Sequence, residues 1–131
     1  MRYLLDTAAL LWALDDWQRL NKRAQDVLQD RAQELFLSPV VSWEMVIKAG
    51  RGKLRLSKSA RELVQRAISD FGALSLPITH EHSLALAGLP DLHSDPFDRM
   101  LIAQAQTENL TVMTADEMIG KYPVDTFWCG R

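Results

Sequence analysis

Short apolar runs alternate with longer stretches of helical periodicity along the whole chain. Tyr3-Leu4-Leu5, Leu35-Phe36-Leu37, residues 74–78 and Thr111-Val112-Met113-Thr114 are bounded runs of strand length, and residues 124–128 form a last strand candidate. Pro77 marks the end or an edge of the third run, because proline brings no N–H to a ladder. Between the runs lie helical segments with readable starts. Residues 8–14 are good helix formers, and Asn21 is placed to cap a helix over 22–32 with Ala24, Val27, Leu28 and Ala32 inward. Ser38-Pro39 is a cap followed by proline at the first helical position, and it opens a helix through residue 49. Ser57 is placed to cap a helix over 58–71, with Leu63, Val64, Ala67, Ile68 and Phe71 on one stripe and Gly72 closing it. Thr79 is placed to cap a short helix over 80–87, and residues 88–94 read as a loop. Asp95-Pro96 repeats the cap-and-proline signal and opens a helix over 96–108, with Asn109 as its C-cap. The run from Met100 to Ala105 is broad for one helix face, so this helix is expected to be well buried.

Strands alternating with helices predict an α/β fold: a central, mostly parallel sheet of four or five strands flanked by helices. With 131 residues, the chain is expected to form one domain over 1–131 with room for a real core. Its 47% hydrophobic and 24% charged residues are an ordinary globular composition. The formal charge of −2 means that a nucleic-acid partner would be held by local basic patches and not by a general positive field. The single cysteine, Cys129, excludes an internal disulfide and a cysteine-rich zinc site, which fits a cytoplasmic protein. Asp6 interrupts the N-terminal apolar run too early for a signal peptide, and no segment has the length and apolarity to span a bilayer.

Candidate chemistry comes from four acids that are distant in sequence. Asp6 and Asp116 directly follow strand candidates, Glu44 is in the second turn of the helix opened by Ser38, and Asp98 is in the first turn of the helix opened by Asp95. Each has an ordinary reading: a cap, a turn residue, a dipole-favoured first-turn acid, or, for Glu44, a partner for Lys48 one turn later. In a parallel sheet, however, sites form at the carboxyl ends of the strands, where these four acids would meet. Two carboxylates about 4 Å apart repel by roughly 1 kcal/mol in water and about 4 kcal/mol at intermediate dielectric. A buried group of them must protonate or bind a cation, and hard divalent ions prefer such oxygen donors.

Taken together, Leu4-Leu5-Asp6-Thr7, Ser42-Trp43-Glu44, Asp95-Pro96-Phe97-Asp98-Arg99 with Ile102-Ala103, and Thr114-Ala115-Asp116 resemble a PIN domain, specifically the VapC-type ribonuclease toxin of bacterial toxin–antitoxin pairs. The resemblance runs nearly end to end. It implies that Asp6, Glu44, Asp98 and Asp116 are the catalytic, metal-holding acids of a Mg²⁺- or Mn²⁺-dependent endoribonuclease. It also implies a homodimer and inhibition by a cognate, VapB-like antitoxin, with transfer RNA as a family-level substrate expectation. Asp95 is an additional acid: a cap, an outer-shell residue, or both.

Thr7 and Thr114 are candidates to hydrogen-bond an acid beside the metal, or simply to cap and fill. Arg99 either faces substrate phosphate or forms an ordinary ion pair. Lys48, Arg51, Lys53 and Arg55 form the densest basic stretch, readable as an RNA-guiding patch or as a solvated turn. His80 and His82 are expected on an exposed helix start and lack the further ligands that zinc needs. Trp12, Trp17, Trp43 and Trp128 read as core or interface anchors, and the helices after Ser38 and Ser57 as the dimer surface. Two alternatives remain: a receiver-like Mg²⁺-binding signalling domain, and an inactive binding module on the PIN fold. A flap-cutting 5′-nuclease would need extra length for threading.

Overall fold

A computed structural model describes all 131 residues. Five strands, β1 (Arg2–Leu5), β2 (Glu34–Leu37), β3 (Leu74–Ser75), β4 (Thr111–Thr114) and β5 (Thr126–Trp128), form one sheet in the order β3-β2-β1-β4-β5. Every pairing is parallel, with Leu4 opposite Phe36 on one side and Val112 on the other. All five carboxyl ends therefore lie on one edge. The order also separates this sheet from the 2-1-3-4-5 arrangement of receiver domains, so the receiver alternative is set aside.

Six helices cover the sheet: α1 (Thr7–Asp15), α2 (Lys22–Gln29), α3 (Pro39–Gly50), α4 (Ala60–Phe71), α5 (His80–Ala85) and α6 (Pro96–Glu108). The central strands are buried on both faces, and Leu4, Leu5, Val112 and Met113 are fully enclosed. That is why they read as continuous apolar runs and not as alternating ones. Helix α6 is the buried helix expected, with Phe97, Leu101, Ile102, Ala103, Gln104 and Ala105 inside. Asn109 ends it in the left-handed conformation, φ 55°, and turns the chain directly into β4.

Several boundaries differ from the sequence expectation for tertiary reasons. Helix α2 stops at Gln29, because the Asp30 side chain accepts from the Ala32 N–H and from Gln33 and makes a turn instead. Ser59, not Ser57, caps α4; the Ser57 hydroxyl donates to Asp15 at the end of α1. Strand β3 has only two residues, ending before Pro77, and β5 begins at Thr126. Helix α5 gives way to a 3₁₀ turn, Leu86–Gly88. His82 is not on an exposed face. It is 1% exposed, with Nδ1 accepting from the Thr79 N–H in a capping box and Nε2 paired with Glu108 of α6. Trp12 and Trp17 pack partly buried against the core, whereas Trp43 and Trp128 are half exposed.

Gly72 closes α4 in the left-handed conformation, φ 65°, and a Cβ there would meet Arg31 Nη1 at 2.6 Å. Arg31 is already committed to the Asp70 carbonyl at 2.8 Å. Gly72→Ala is expected to cost about 1–2 kcal/mol from the backbone alone. Thermal unfolding should show a midpoint lower by several degrees, and an unchanged midpoint would contradict the strain.

Candidate metal centre

Parallel strands deliver helix N-termini to the carboxyl edge. Asp6 leaves β1 and caps α1, with Oδ1 accepting from the Ala9 N–H at 2.8 Å. Ser38 leaves β2 and caps α3, which places Glu44 on the inward side of its second turn, 6% exposed. Asp95 caps α6 by accepting from the Phe97 and Asp98 N–H groups, and Asp98 follows in the first turn. Asp116 comes two residues after β4; its Oδ1 accepts from the Met118 N–H.

Neighbouring hydroxyls hold the acids. Thr114 donates to Asp6 Oδ2 at 2.5 Å and accepts from the Asp116 N–H at 2.9 Å, so one side chain fixes two acids. Thr7 donates to Glu44 Oε1. Lys48, one turn along α3, pairs with Glu44 Oε2 and lies 3.5 Å from Asp95 Oδ2. His93, in the loop before α6, sits with Nε2 3.0 Å from Asp98 Oδ2.

The electrostatics make these residues one cluster. Burial, with added repulsion from Asp116 and Glu44, raises the Asp6 pKa to about 6, although bonds from Thr114 and Ala9 oppose the shift. Burial followed by the charge of Asp95, with Glu44 and Asp116 behind it, raises Asp98 to about 7 against the His93 bond. Burial alone would lower Lys48, but its bond and charge pairing with Glu44, then Asp95, outweigh that and raise it. Burial and the nearby Asp6 push the Cys129 thiol up to about 12, so it is no nucleophile near neutral pH.

A divalent cation fits this donor set. The acids supply hard oxygen ligands, and one ligand atom from each of His93, Asp98 and Asp116 lies within 4.8 Å of the others. The raised carboxyl pKa values mark a deficit of positive charge that such an ion would fill.

The other sequence candidates are more dispersed. Lys48 and Lys53 line a surface recess with Thr7 and Glu44, and Arg51 is exposed at the C-cap of α3. Arg99 does not reach the acids: its guanidinium donates to the Pro90 carbonyl at 2.9 Å and the Tyr122 hydroxyl at 3.1 Å. The sequence reading missed His93. Its signal was present, five residues before Asp98 and beside a cap-and-proline start, but nothing local indicates which way a loop histidine points.

Without metal, the folded chain keeps protons on Asp6 and Asp98 that the unfolded chain releases from about pH 4 upward. Folded stability contributed by these groups is therefore full at low pH and falls as pH rises through about 6–7. Asp98→Asn should gain stability relative to wild type across that window, on the order of a kcal/mol or more by pH 7. Chemical unfolding at several pH values in chelator checks this, and a difference independent of pH would contradict it.

No curated protein matches the chain by sequence. Solved structures do match its fold. VapBC2 from Rickettsia felis, bound to a DNA fragment from its promoter, is 16% identical with a TM-score of 0.75, covering 98% of this chain and 99% of that one. FitAcB from Neisseria gonorrhoeae is 21% identical with a TM-score of 0.64, covering 96% of each chain. VapBC-1 from nontypeable Haemophilus influenzae is 16% identical with a TM-score of 0.59, covering 97% of each. The PIN domain profile matches residues 3–124, almost the entire chain, and with the strand order and the acidic carboxyl edge this establishes that the chain belongs to the PIN domain family.

Proposed function

We propose that this PIN domain is a metal-dependent endoribonuclease of the VapC toxin type, held in check by a VapB-like antitoxin. The observation that carries the reading is the crowding of Asp6, Glu44, Asp95, Asp98 and Asp116, with two of these carboxyls pushed well above their ordinary range. An inactive binding module has no use for that cost.

Asp6, Glu44, Asp98 and Asp116 are the residues to hold Mg²⁺ or Mn²⁺, with Asp95 capping α6 and facing the cluster through Lys48. When bound, the ion activates a water and offsets charge on the scissile phosphate. Thr114 and Thr7 keep Asp6 and Glu44 in fixed orientations, so the donors need little rearrangement. Lys48 and Lys53, in the recess beside Glu44, and Arg51 beyond them are suited to substrate phosphates. Arg99 acts here as a positioning residue, tying Pro90 and Tyr122 to α6.

The structural neighbours are VapBC and FitAB assemblies, which supports a toxin paired with an antitoxin. Exposed Trp43 and Val46 on α3 and Ile68 on α4 offer an apolar surface for a homodimer. No helix is long and apolar enough to cross a membrane.

Partner-free protein incubated with total bacterial RNA and Mg²⁺ or Mn²⁺ should give discrete fragments. EDTA should abolish cutting, and Asp6→Asn or Asp98→Asn should slow it by about 100-fold or more. Undiminished cleavage in EDTA, or by Asp98→Asn, would overturn the assignment.

A further inference from the structure

We propose that His93 gives an imidazole nitrogen to the cation held by Asp98 and Asp116, and thereby biases the site toward Mn²⁺ over Mg²⁺. The proposal rests on the divalent-cation reading above and adds a ligand and a metal preference to it.

The geometry is specific to this histidine. Its Nε2 is 3.0 Å from Asp98 Oδ2, and it shares a 4.8 Å ligand range with oxygens of Asp98 and Asp116. Both ends of its loop are fixed. Arg99 holds the Pro90 carbonyl at 2.9 Å, and Asp95 is locked as the cap of α6 at 2.8 Å from the Phe97 N–H. The ring therefore hangs between two anchors, with its side chain 24% exposed at the mouth of the cluster. His82 is the contrast. It is fully enclosed, and both of its ring nitrogens are engaged, by Thr79 and Glu108. His93 has a protein partner on Nε2 alone, and that partner is an acid of the cluster.

The imidazole has two tautomers. With the proton on Nε2 it donates to Asp98. With the proton on Nδ1, which faces no protein acceptor, the Nε2 lone pair points among carboxylates at ligand spacing. An ion bound there takes the place of the Nε2–Asp98 hydrogen bond. Mg²⁺ is hard, prefers oxygen and gives up its water reluctantly, so it gains little from a nitrogen donor. First-row transition ions accept imidazole readily, and Mn²⁺ is the member whose oxygen preference also suits the surrounding acids.

Metal-free full-length protein should be titrated with MnCl₂ and MgCl₂ by calorimetry, for wild type, His93→Gln and His93→Ala. The Mn²⁺ form should also be examined by pulsed electron paramagnetic resonance for ¹⁴N coupling. Wild type should bind Mn²⁺ the more tightly of the two ions and show imidazole nitrogen coupling. Both variants should lose the coupling and about 10-fold or more in Mn²⁺ affinity, with Mg²⁺ affinity nearly unchanged. Equal losses for both ions would reduce His93 to orienting Asp98 and overturn the proposal. So would bound Mn²⁺ with no nitrogen coupling in wild type, a result that does not depend on any variant folding. Failure of wild type to bind either ion would instead remove the cation reading itself.

Discussion

Five carboxylates gathered on one edge of a parallel sheet are the constraint to which the rest of this molecule answers. Like charges brought this close repel, and the Asp6 and Asp98 carboxyls respond by holding their protons well above the usual carboxylate range. The fold offsets this with groups already at that edge. Parallel strands bring helix N-termini there, so Asp6 and Asp95 face free N–H groups and the positive ends of α1 and α6. Thr114 and Thr7 donate to Asp6 and Glu44, and Lys48 places an ammonium between Glu44 and Asp95. What remains uncompensated appears as protons retained on Asp6 and Asp98.

The core makes this arrangement tolerable. Asp6 follows Leu4 and Leu5, and Thr114 follows Val112 and Met113, all fully buried in the two central strands. Helix α6 packs against the same core through Leu101, Ile102 and Ala105, so Asp98 cannot relax by moving its helix outward. Burying each such side chain stabilises by about 1.5–3 kcal/mol, which resists any outward movement of the elements that carry the acids. The acids and the core are thus coupled through neighbouring positions on the same elements.

Where the sequence was legible, the signal was local. The apolar runs of β1, β2 and β4 have no polar alternation because both faces are covered, and the pairs Ser38-Pro39 and Asp95-Pro96 fix helix starts through backbone chemistry alone. The four separated acids were readable as convergent because parallel topology sends every strand end to one edge. What failed depended on distant partners. Ser57 has the chemistry of a cap but finds Asp15, 42 residues away. His82 looked exposed because its enclosing partner, Glu108, lies on another helix 26 residues on. Arg99 was open between phosphate and an ordinary pairing, and the partners of its Nη1, the Pro90 carbonyl and the Tyr122 hydroxyl, were not readable locally.

Lys48 and a divalent ion are two answers to the same electrostatic problem, and their difference bears on function. An ammonium brings one charge on a flexible stem and reaches only the Glu44–Asp95 side of the cluster. The Asp98–Asp116 side has no such ammonium; the side-chain nitrogen that meets it is that of His93. The protein thus neutralises one flank internally and leaves the other with its donors grouped within ligand range. The asymmetry leaves the carboxyl edge electrostatically incomplete on the side where its donors are grouped, and the cation of the proposed function would meet that deficit.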